Sequence, residues 1–349
     1  MPKTVQLPDN TVIPSPGLGC MGMSFAYGAT NDEQRKATLR KAMKIGNTFW
    51  NTANAYGRGL NEKIIGEVLR EGNNREKVLL VSKWGYRFRG DDPAAWDSYV
   101  DGSAAHCAEA FEQSVKDLGG IYPDTYLLHR VDPNTPIEES VRAMDALRQA
   151  GKIKHIGLSE CSADTLRRAA AIAPISFVEV EYSPWTLVME TNGVLDACKE
   201  LGVVMIAYSP LGRGFLTGRY KTVADFQKEG DFRAYMPRTS AETFDKNYRI
   251  VVEFEKLAAK KGCTPSQLVL GWVMAQADNI VPIPGTRSEK YLLENFSSRD
   301  IVLTPDEVAE IRRVCVEFAP EGKRYAAKVD TTEEFKQRQA EQEEGQVEA

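Results

Sequence analysis

The sequence predicts an α/β fold, a closed (β/α)8 TIM barrel with an N-terminal β-hairpin and long strand-end loops. Three observations point there. Short apolar runs recur along the chain, each followed by a longer stretch with helical periodicity. Several runs are continuously apolar, such as Val78-Leu79-Leu80-Val81 and Val203-Val204-Met205-Ile206-Ala207, the pattern of parallel strands covered on both faces. The spacing is near even, no stretch resembles a linker, and 349 residues suit one barrel with insertions.

The elements follow in order. Thr4-Val5-Gln6-Leu7, the turn residues Pro8-Asp9-Asn10, and Thr11-Val12-Ile13 make a hairpin over 4–13. Strands are expected at 17–20, 48–50, 78–82, 125–128, 155–158, 177–180, 203–207 and 280–281. Helices are expected at 32–45, 61–70, 103–118, 137–150, 162–172, 191–201 and 241–261. Thr135-Pro136-Ile137-Glu138-Glu139 is a typical opening, with proline and acids in the first turn. One further helix opens at Gly285-Thr286-Arg287-Ser288 and runs to Phe296. Hairpin and barrel form a single domain over 1–320. The remainder, 321–349, is a charged tail, poor in apolar residues from about Thr331.

Composition removes several function classes. The net charge of −5 provides no basic footprint for nucleic acid or an anionic membrane. No span is long and apolar enough for a membrane helix, and the first residues carry no signal-peptide core. The six cysteines are scattered without a C-x-x-C pair, so they read as reduced thiols of a cytoplasmic protein and not as a disulfide framework or zinc site.

Gly17-Leu18-Gly19-Cys20-Met21-Gly22 has the spacing of a dinucleotide-binding loop. That motif should open a helix with an acid about 20 residues on. Here it runs into the loop-like Met23-Ser24-Phe25-Ala26-Tyr27-Gly28, and positions 37 to 42 hold no acid. It reads as a first barrel strand followed by a tight glycine turn.

Reactive groups of a parallel barrel sit past the C-terminal ends of its strands. The second strand leads through Asn51 to Tyr56, the third ends on Ser82-Lys83-Trp84, and the fourth on Leu128-His129-Arg130. A tyrosine, a lysine and a histidine thus follow three adjacent strands. The three residues resemble the strand-end set of the aldo-keto reductases, and the carbonyl reduction which that resemblance implies builds negative charge on oxygen and needs a positioned acid. Tyrosine, with a pKa near 10, is a weak one, and a lysine ammonium within ~4–6 Å would lower that value. Tyr56 is therefore the expected proton donor, Lys83 its electrostatic partner, and His129 the group that orients the carbonyl oxygen. His106 and His155 have no such company and are read as structural.

On these residues the sequence resembles the aldo-keto reductases, which draw an Asp, Tyr, Lys and His tetrad from the same strand ends. The resemblance spans Gly17 to about Phe318. It includes Gly157-Leu158-Ser159, Glu181-Tyr182-Ser183-Pro184-Trp185, Ala207-Tyr208-Ser209-Pro210-Leu211-Gly212-Arg213-Gly214 and Pro282-Ile283-Pro284-Gly285-Thr286-Arg287. It implies an NADP(H) cofactor. Ser159 and Glu179 would face the nicotinamide carboxamide and Tyr208 would stack on the ring. Ser209, Leu211 and Arg213 would lie along the pyrophosphate. Gly285, Thr286 and Arg287 would open a helix N-terminus suited to a phosphate, with the guanidinium taking the 2′-phosphate. Glu294 and Asn295 match the adenine-facing pair.

Three positions depart from the family. The tetrad aspartate is replaced by Asn51, which hydrogen-bonds but carries no charge. Glu179 stands where many members have glutamine, and Glu160 where asparagine is common. These departures resemble the fungal pyridoxal-reductase-like branch. With Asn51, Lys83 loses a partner that holds its proton, yet while protonated it acts on Tyr56 with less compensation. At 4 Å such a pair is worth about 4 kcal/mol at an effective dielectric of about 20. The substrate implied is a small aldehyde or ketone, with pyridoxal suggested by the aromatic strand-end residues Phe25, Tyr27, Trp84, Tyr86 and Phe88, and by a lid over 215–244. The alternative is a weakly active or non-catalytic NADPH-binding regulatory subunit of the same fold.

Overall fold

In the computed structural model, residues 3–24, 26–28, 31–90 and 97–325 are described. The N-terminal hairpin pairs β1 (Thr4–Gln6) with β2 (Val12–Pro14). The main sheet has eight parallel strands: β3 (Leu18–Gly19), β4 (Phe49–Asn51), β5 (Leu79–Trp84), β8 (Thr125–Leu128), β9 (His155–Ser159), β10 (Ile175–Glu181), β11 (Val204–Tyr208) and β12 (Ile280–Pro282). Consecutive members pair in that order. The sheet curls until its edges meet: Gly17 N–H donates to Pro282 O at 3.0 Å, and Gly19 bridges Gly285 in parallel. A side chain at Gly19 would place its Cβ 2.7 Å from Ile283 O, so this seam requires glycine.

The expected helices are present as α1 (Asp32–Lys44), α2 (Leu60–Leu69), α3 (Ala104–Asp117), α4 (Ile137–Gln149), α5 (Ala163–Ala170), α6 (Val194–Leu201), α7 (Phe244–Lys261) and α9 (Glu289–Ser297). Two helices lie outside the sequence expectation. In α8 (Pro265–Met274) the apolar run is nearly continuous, so it shows no amphipathic period, and it is buried almost throughout. Helix α10 (Pro305–Glu317) packs against α7. A second hairpin, β6 (Tyr86–Phe88) with β7 (Ser98–Val100), rises directly from the end of β5. The glycine-rich stretch after β3 makes a short 3₁₀ turn at Met21–Met23 and no long helix, as its context implied. The tail from 326 onward, like Phe25, lies outside the described residues.

Strand alternation divides the core. Outward residues such as Trp50, Leu80 and Val178 meet the helix layer, whereas Phe49, Val81, Leu127, Phe177, Val204, Ile206 and Val281 fill the lumen. Val5, Leu7 and Ile13 of the hairpin join that interior cluster and plug the bottom of the barrel. Trp84 belongs to the outer set: it is fully buried beside His106 and Tyr126 against the helices. It is therefore no wall of an aromatic mouth, contrary to the sequence expectation.

Candidate active site

The same alternation builds the site. Two residues beyond lumen-facing Phe49 stands Asn51, two beyond Val81 stands Lys83, two beyond Leu127 stands His129, and two beyond Phe177 stands Glu179. A period of two sends all four side chains into the barrel, one layer above the apolar plug. Tyr56 comes from the loop after β4. Thr52 N–H donates to Val81 O and Asn54 N–H to Lys83 O, which fastens that loop to β5. Asn61, fully buried, accepts from Thr52 Oγ1 at 2.6 Å and donates to Cys20 O at 2.8 Å and Ser24 Oγ at 2.7 Å. It ties the loops past β3 and β4 together, a role unassigned in the sequence reading.

Lys83 is the hub. Its ammonium, 0% exposed, donates to Asn51 Oδ1 at 2.6 Å, Thr52 O at 2.9 Å and the Tyr56 hydroxyl at 3.1 Å. It also pairs with Glu179 Oε1 at 3.2 Å. Asn51 Nδ2 in turn donates to Glu179 Oε2 at 2.7 Å. The structure thus corrects the expectation that Asn51 deprives Lys83 of a carboxylate: the charge stands on Glu179.

Burial decides the acid–base balance. It pulls the Lys83 ammonium below the ordinary lysine range, against the opposing pull of Glu179. It also pushes the Tyr56 phenol well above its ordinary value, and Glu179 adds to that push while Arg130 opposes it. The expected lowering of Tyr56 by Lys83 is therefore not what this site shows; desolvation outweighs it. His129 is held well below the usual histidine range by burial, then by Lys83 and Arg130, and is neutral at physiological pH. Its ring meets Tyr56 edge-on at 5.7 Å and Tyr86 at 5.0 Å, and its Nδ1 is buried without a hydrogen-bond partner. A protonated phenol on a lysine hub beside a neutral imidazole is an arrangement that can donate a proton to an oxygen and orient it.

These features sit at the strand ends of a closed barrel, and the comparison with known families agrees. The description "Aldo/keto reductase family" matches residues 17–315. The chain belongs to the aldo-keto reductases. An NADP(+) aldo-keto reductase of Schizosaccharomyces pombe is 43% identical over 318 residues, covering 90% of this chain and 92% of that protein. One from Gibberella moniliformis is 45% identical, covering 90% and 94%. A glycerol dehydrogenase structure from Gluconobacter oxydans superposes with a TM-score of 0.82 at 26% identity, covering 92% of this chain and 97% of that one. A Klebsiella pneumoniae aldo/keto reductase in complex with NADP and acetate gives 0.70 at 26% identity, covering 93% and 99%.

The remaining residues expected in this aldo-keto reductase sort themselves by strand. Ser159 pairs in register with Glu179, and its Oγ accepts from buried Arg130 at 3.3 Å. Tyr208 ends β11, and Ser209 and Arg213 follow in the left-handed region with Leu211 buried between them. Arg213 donates to Glu181 Oε2 at 2.8 Å. Gly285 lies at the barrel seam, and Thr286 Oγ1 accepts from Ser288 N–H at 3.1 Å. Arg287 donates to Tyr27 O at 2.8 Å and Gly28 O at 3.0 Å, so its guanidinium is turned onto the first strand-end loop. Glu294 accepts from Thr264 Oγ1 at 2.8 Å, and Asn295 is buried in α9. Ser288, at the N-cap of α9, makes no side-chain capping bond, so the first-turn N–H groups have no such acceptor.

Sequence reasoning left several neighbours without a role. Arg130 lies directly after His129, and its sequence adjacency was the available signal. Glu160, Glu181, Arg324 and Tyr325 form a second polar cluster beside Tyr208. Arg324 pairs with Glu160 and lies 3.7 Å from Glu181, and Tyr325 OH is 2.9 Å from Tyr208 OH. Among the described residues no helix is long and apolar enough to cross a membrane, no acidic, histidine or cysteine cluster is arranged to hold a metal, and no two cysteines form a disulfide.

Proposed function

We propose that this aldo-keto reductase reduces a small aldehyde or ketone to the alcohol with NADPH, taking the proton from Tyr56. One observation carries the reading: the Tyr56 hydroxyl accepts a hydrogen bond at 3.1 Å from the fully buried Lys83 ammonium. Bound NADPH supplies the hydride from nicotinamide C4. The chain's own groups do the rest. Tyr56 keeps its proton at neutral pH and is poised to yield it as negative charge develops on the substrate oxygen. Lys83 stabilises the phenolate left behind, and neutral His129 orients the oxygen.

Tyr208, Ser209, Leu211 and Arg213 would hold the nicotinamide half, with Ser159 and Glu179 at the carboxamide. Gly285, Thr286, Arg287, Glu294 and Asn295 would hold the adenosine end at the α9 N-terminus. The NADP(+) in the name of the Schizosaccharomyces pombe relative and the NADP in the Klebsiella complex support that cofactor. Aromatic aldehydes such as pyridoxal are the proposed substrates, because Tyr86 lies against His129 and Tyr27 against Phe232 at the mouth. We also propose that the protein works in the cytoplasm.

The regulatory alternative rests on the neutrality of Asn51 and on the charged tail; the Glu179 carboxylate beside Lys83 weighs against the first support, and the tail from 326 onward lies outside the described residues. The test is NADPH oxidation with a panel of aliphatic and aromatic aldehydes. Turnover is expected, and Tyr56→Phe should lower kcat by at least about 10²-fold while NADPH still binds. Tight NADPH binding with no turnover of any carbonyl would return the chain to the regulatory reading.

A further inference from the structure

We propose that Glu179 is the counter-ion and positioning residue for Lys83, supplying from β10 the negative charge that position 51 on β4 lacks. The proposal rests on the carbonyl-reductase reading above and deepens it. A buried ammonium is costly unless an anion and hydrogen-bond acceptors compensate it. Of the four groups that touch Lys83 Nζ, three are neutral: the Asn51 amide, the Thr52 carbonyl and the Tyr56 hydroxyl. Glu179 is the carboxylate within ion-pair distance, 3% exposed and 3.2 Å away.

Chemistry dictates how Asn51 must sit between them. An ammonium only donates and a carboxylate only accepts, so the amide oxygen faces Lys83 and the amide nitrogen faces Glu179. The distances, 2.6 and 2.7 Å, show both ends engaged. An aspartate at 51 would bring two acceptors together at that second contact, and they could coexist only by sharing a proton. A glutamine at 179 beside Asn51 would leave Lys83 with no anion in contact. The two positions therefore form a matched pair in which one, and only one, carries charge.

The other groups facing Lys83 come from several elements. Arg130 and His129 follow β8, Tyr56 follows β4, Cys20 follows β3, and Glu62 lies outside on α2. Arg130 opposes the Lys83 charge. Burial pushes the Cys20 thiol up to about 12 and the Glu62 carboxyl up to about 7, so neither replaces Glu179. Without Glu179, Lys83 and Tyr56 would both shed a proton more readily, since its charge favours the protonated form of each.

The experiment compares the full-length parent with Glu179→Gln, Asn51→Asp and the double variant, reading kcat, KM for NADPH and the pH profile of kcat. Glu179→Gln is expected to lower kcat by at least about tenfold and to move the basic limb to lower pH. Asn51→Asp alone should not raise kcat. The double variant, which moves the charge back across the barrel, should recover kcat to within about threefold of the parent and return the limb. A Glu179→Gln variant that raises KM for NADPH alone and leaves the limb in place overturns the proposal, as does a folded double variant that recovers nothing.

The ¹⁵Nζ titration of Lys83 reads the same pair without turnover. A titration identical in the parent and Glu179→Gln overturns the counter-ion role. Should the parent reduce no carbonyl yet show the Lys83 shift, it is the functional reading that fails while the ion pair stands. If Glu179→Gln does not fold, the double variant and the titration of Asn51→Asp decide.

Discussion

Tyr325 places its hydroxyl 2.9 Å from that of Tyr208, joining the last described residue to the end of β11 across 117 positions. Arg324 beside it pairs with Glu160 past β9 and approaches Glu181 on β10, while the Arg213 guanidinium lies 4.5 Å over the Tyr325 ring. The chain thus returns to the barrel mouth and places a cation between two buried carboxylates. Burial resists ionisation of Glu160, but Arg324 and Arg130 prevail and hold it below the usual carboxylate range.

Removing that cation leaves a buried anion under-compensated. Arg324→Ala is expected to destabilise the protein by about 2–4 kcal/mol, read as a lower urea midpoint with an unchanged denaturant slope. Lys246→Ala, which removes the exposed pair with Glu321, should change stability by no more than about 0.5 kcal/mol.

Glu62 provides a pH signature. It is fully buried behind Lys83's strand and accepts from Ser82 Oγ at 2.6 Å. Burial raises its pKa from 4.5 to about 7 in the folded state. The folded protein therefore holds a proton that the unfolded chain has lost. This contribution is complete below pH 4.5, falls as pH rises, and is gone once pH passes about 7. Glu62→Gln should remove that slope. Its thermal midpoint should exceed the parent's at alkaline pH, and the advantage should shrink toward acid.

Gly157 sits on β9 between two strands with no room for a side chain. An added Cβ would lie 2.2 Å from Phe177 O and 2.5 Å from Leu127 Cδ2. Because one obstacle is backbone, relaxation cannot absorb the clash. Gly157→Ala should cost about 3 kcal/mol or more and reduce soluble yield, whereas the same change at solvent-facing Gly120, which meets nothing within 4 Å, is limited to the strain of its positive φ.

His129 should remain neutral across the physiological range in the parent, as read from its imidazole ¹⁵N shifts. Arg130→Met removes one of the depressing charges, so the His129 pKa should rise. It should still fall short of the ordinary value, since burial is the larger cause and survives the change.

Much of this was legible because it depends on local pattern. The parallel strands announced themselves as apolar runs, and Tyr56, Lys83 and His129 by their places after three of them. The α8 and α10 helices were legible too, from the capping boxes Thr264 with Gln267 and Thr304 with Glu307, each followed by proline at the first helical position. Hydrophobic periodicity hid α8, because a helix buried on nearly all sides has no polar face to mark its turns. Trp84 misled for the opposite reason. It follows Lys83 by one residue, and in a strand one residue is the difference between lumen and helix layer.

By itself, the sequence determined the barrel, the hydroxyl–ammonium–imidazole set and the neutrality of position 51, since strand order, parity and side-chain chemistry are properties of the chain read along its length. Only the tertiary structure decided where the compensating charge lies. Asn51 and Glu179 are 128 residues apart on strands that are not neighbours in the sheet, and they meet only because the sheet closes and sends both side chains into one lumen. The same closure removes water from Lys83 and Tyr56. Burial consequently outweighs their mutual attraction in setting the protonation of the site, a balance of desolvation against Coulomb energy that depends on distances in space and not on positions along the chain.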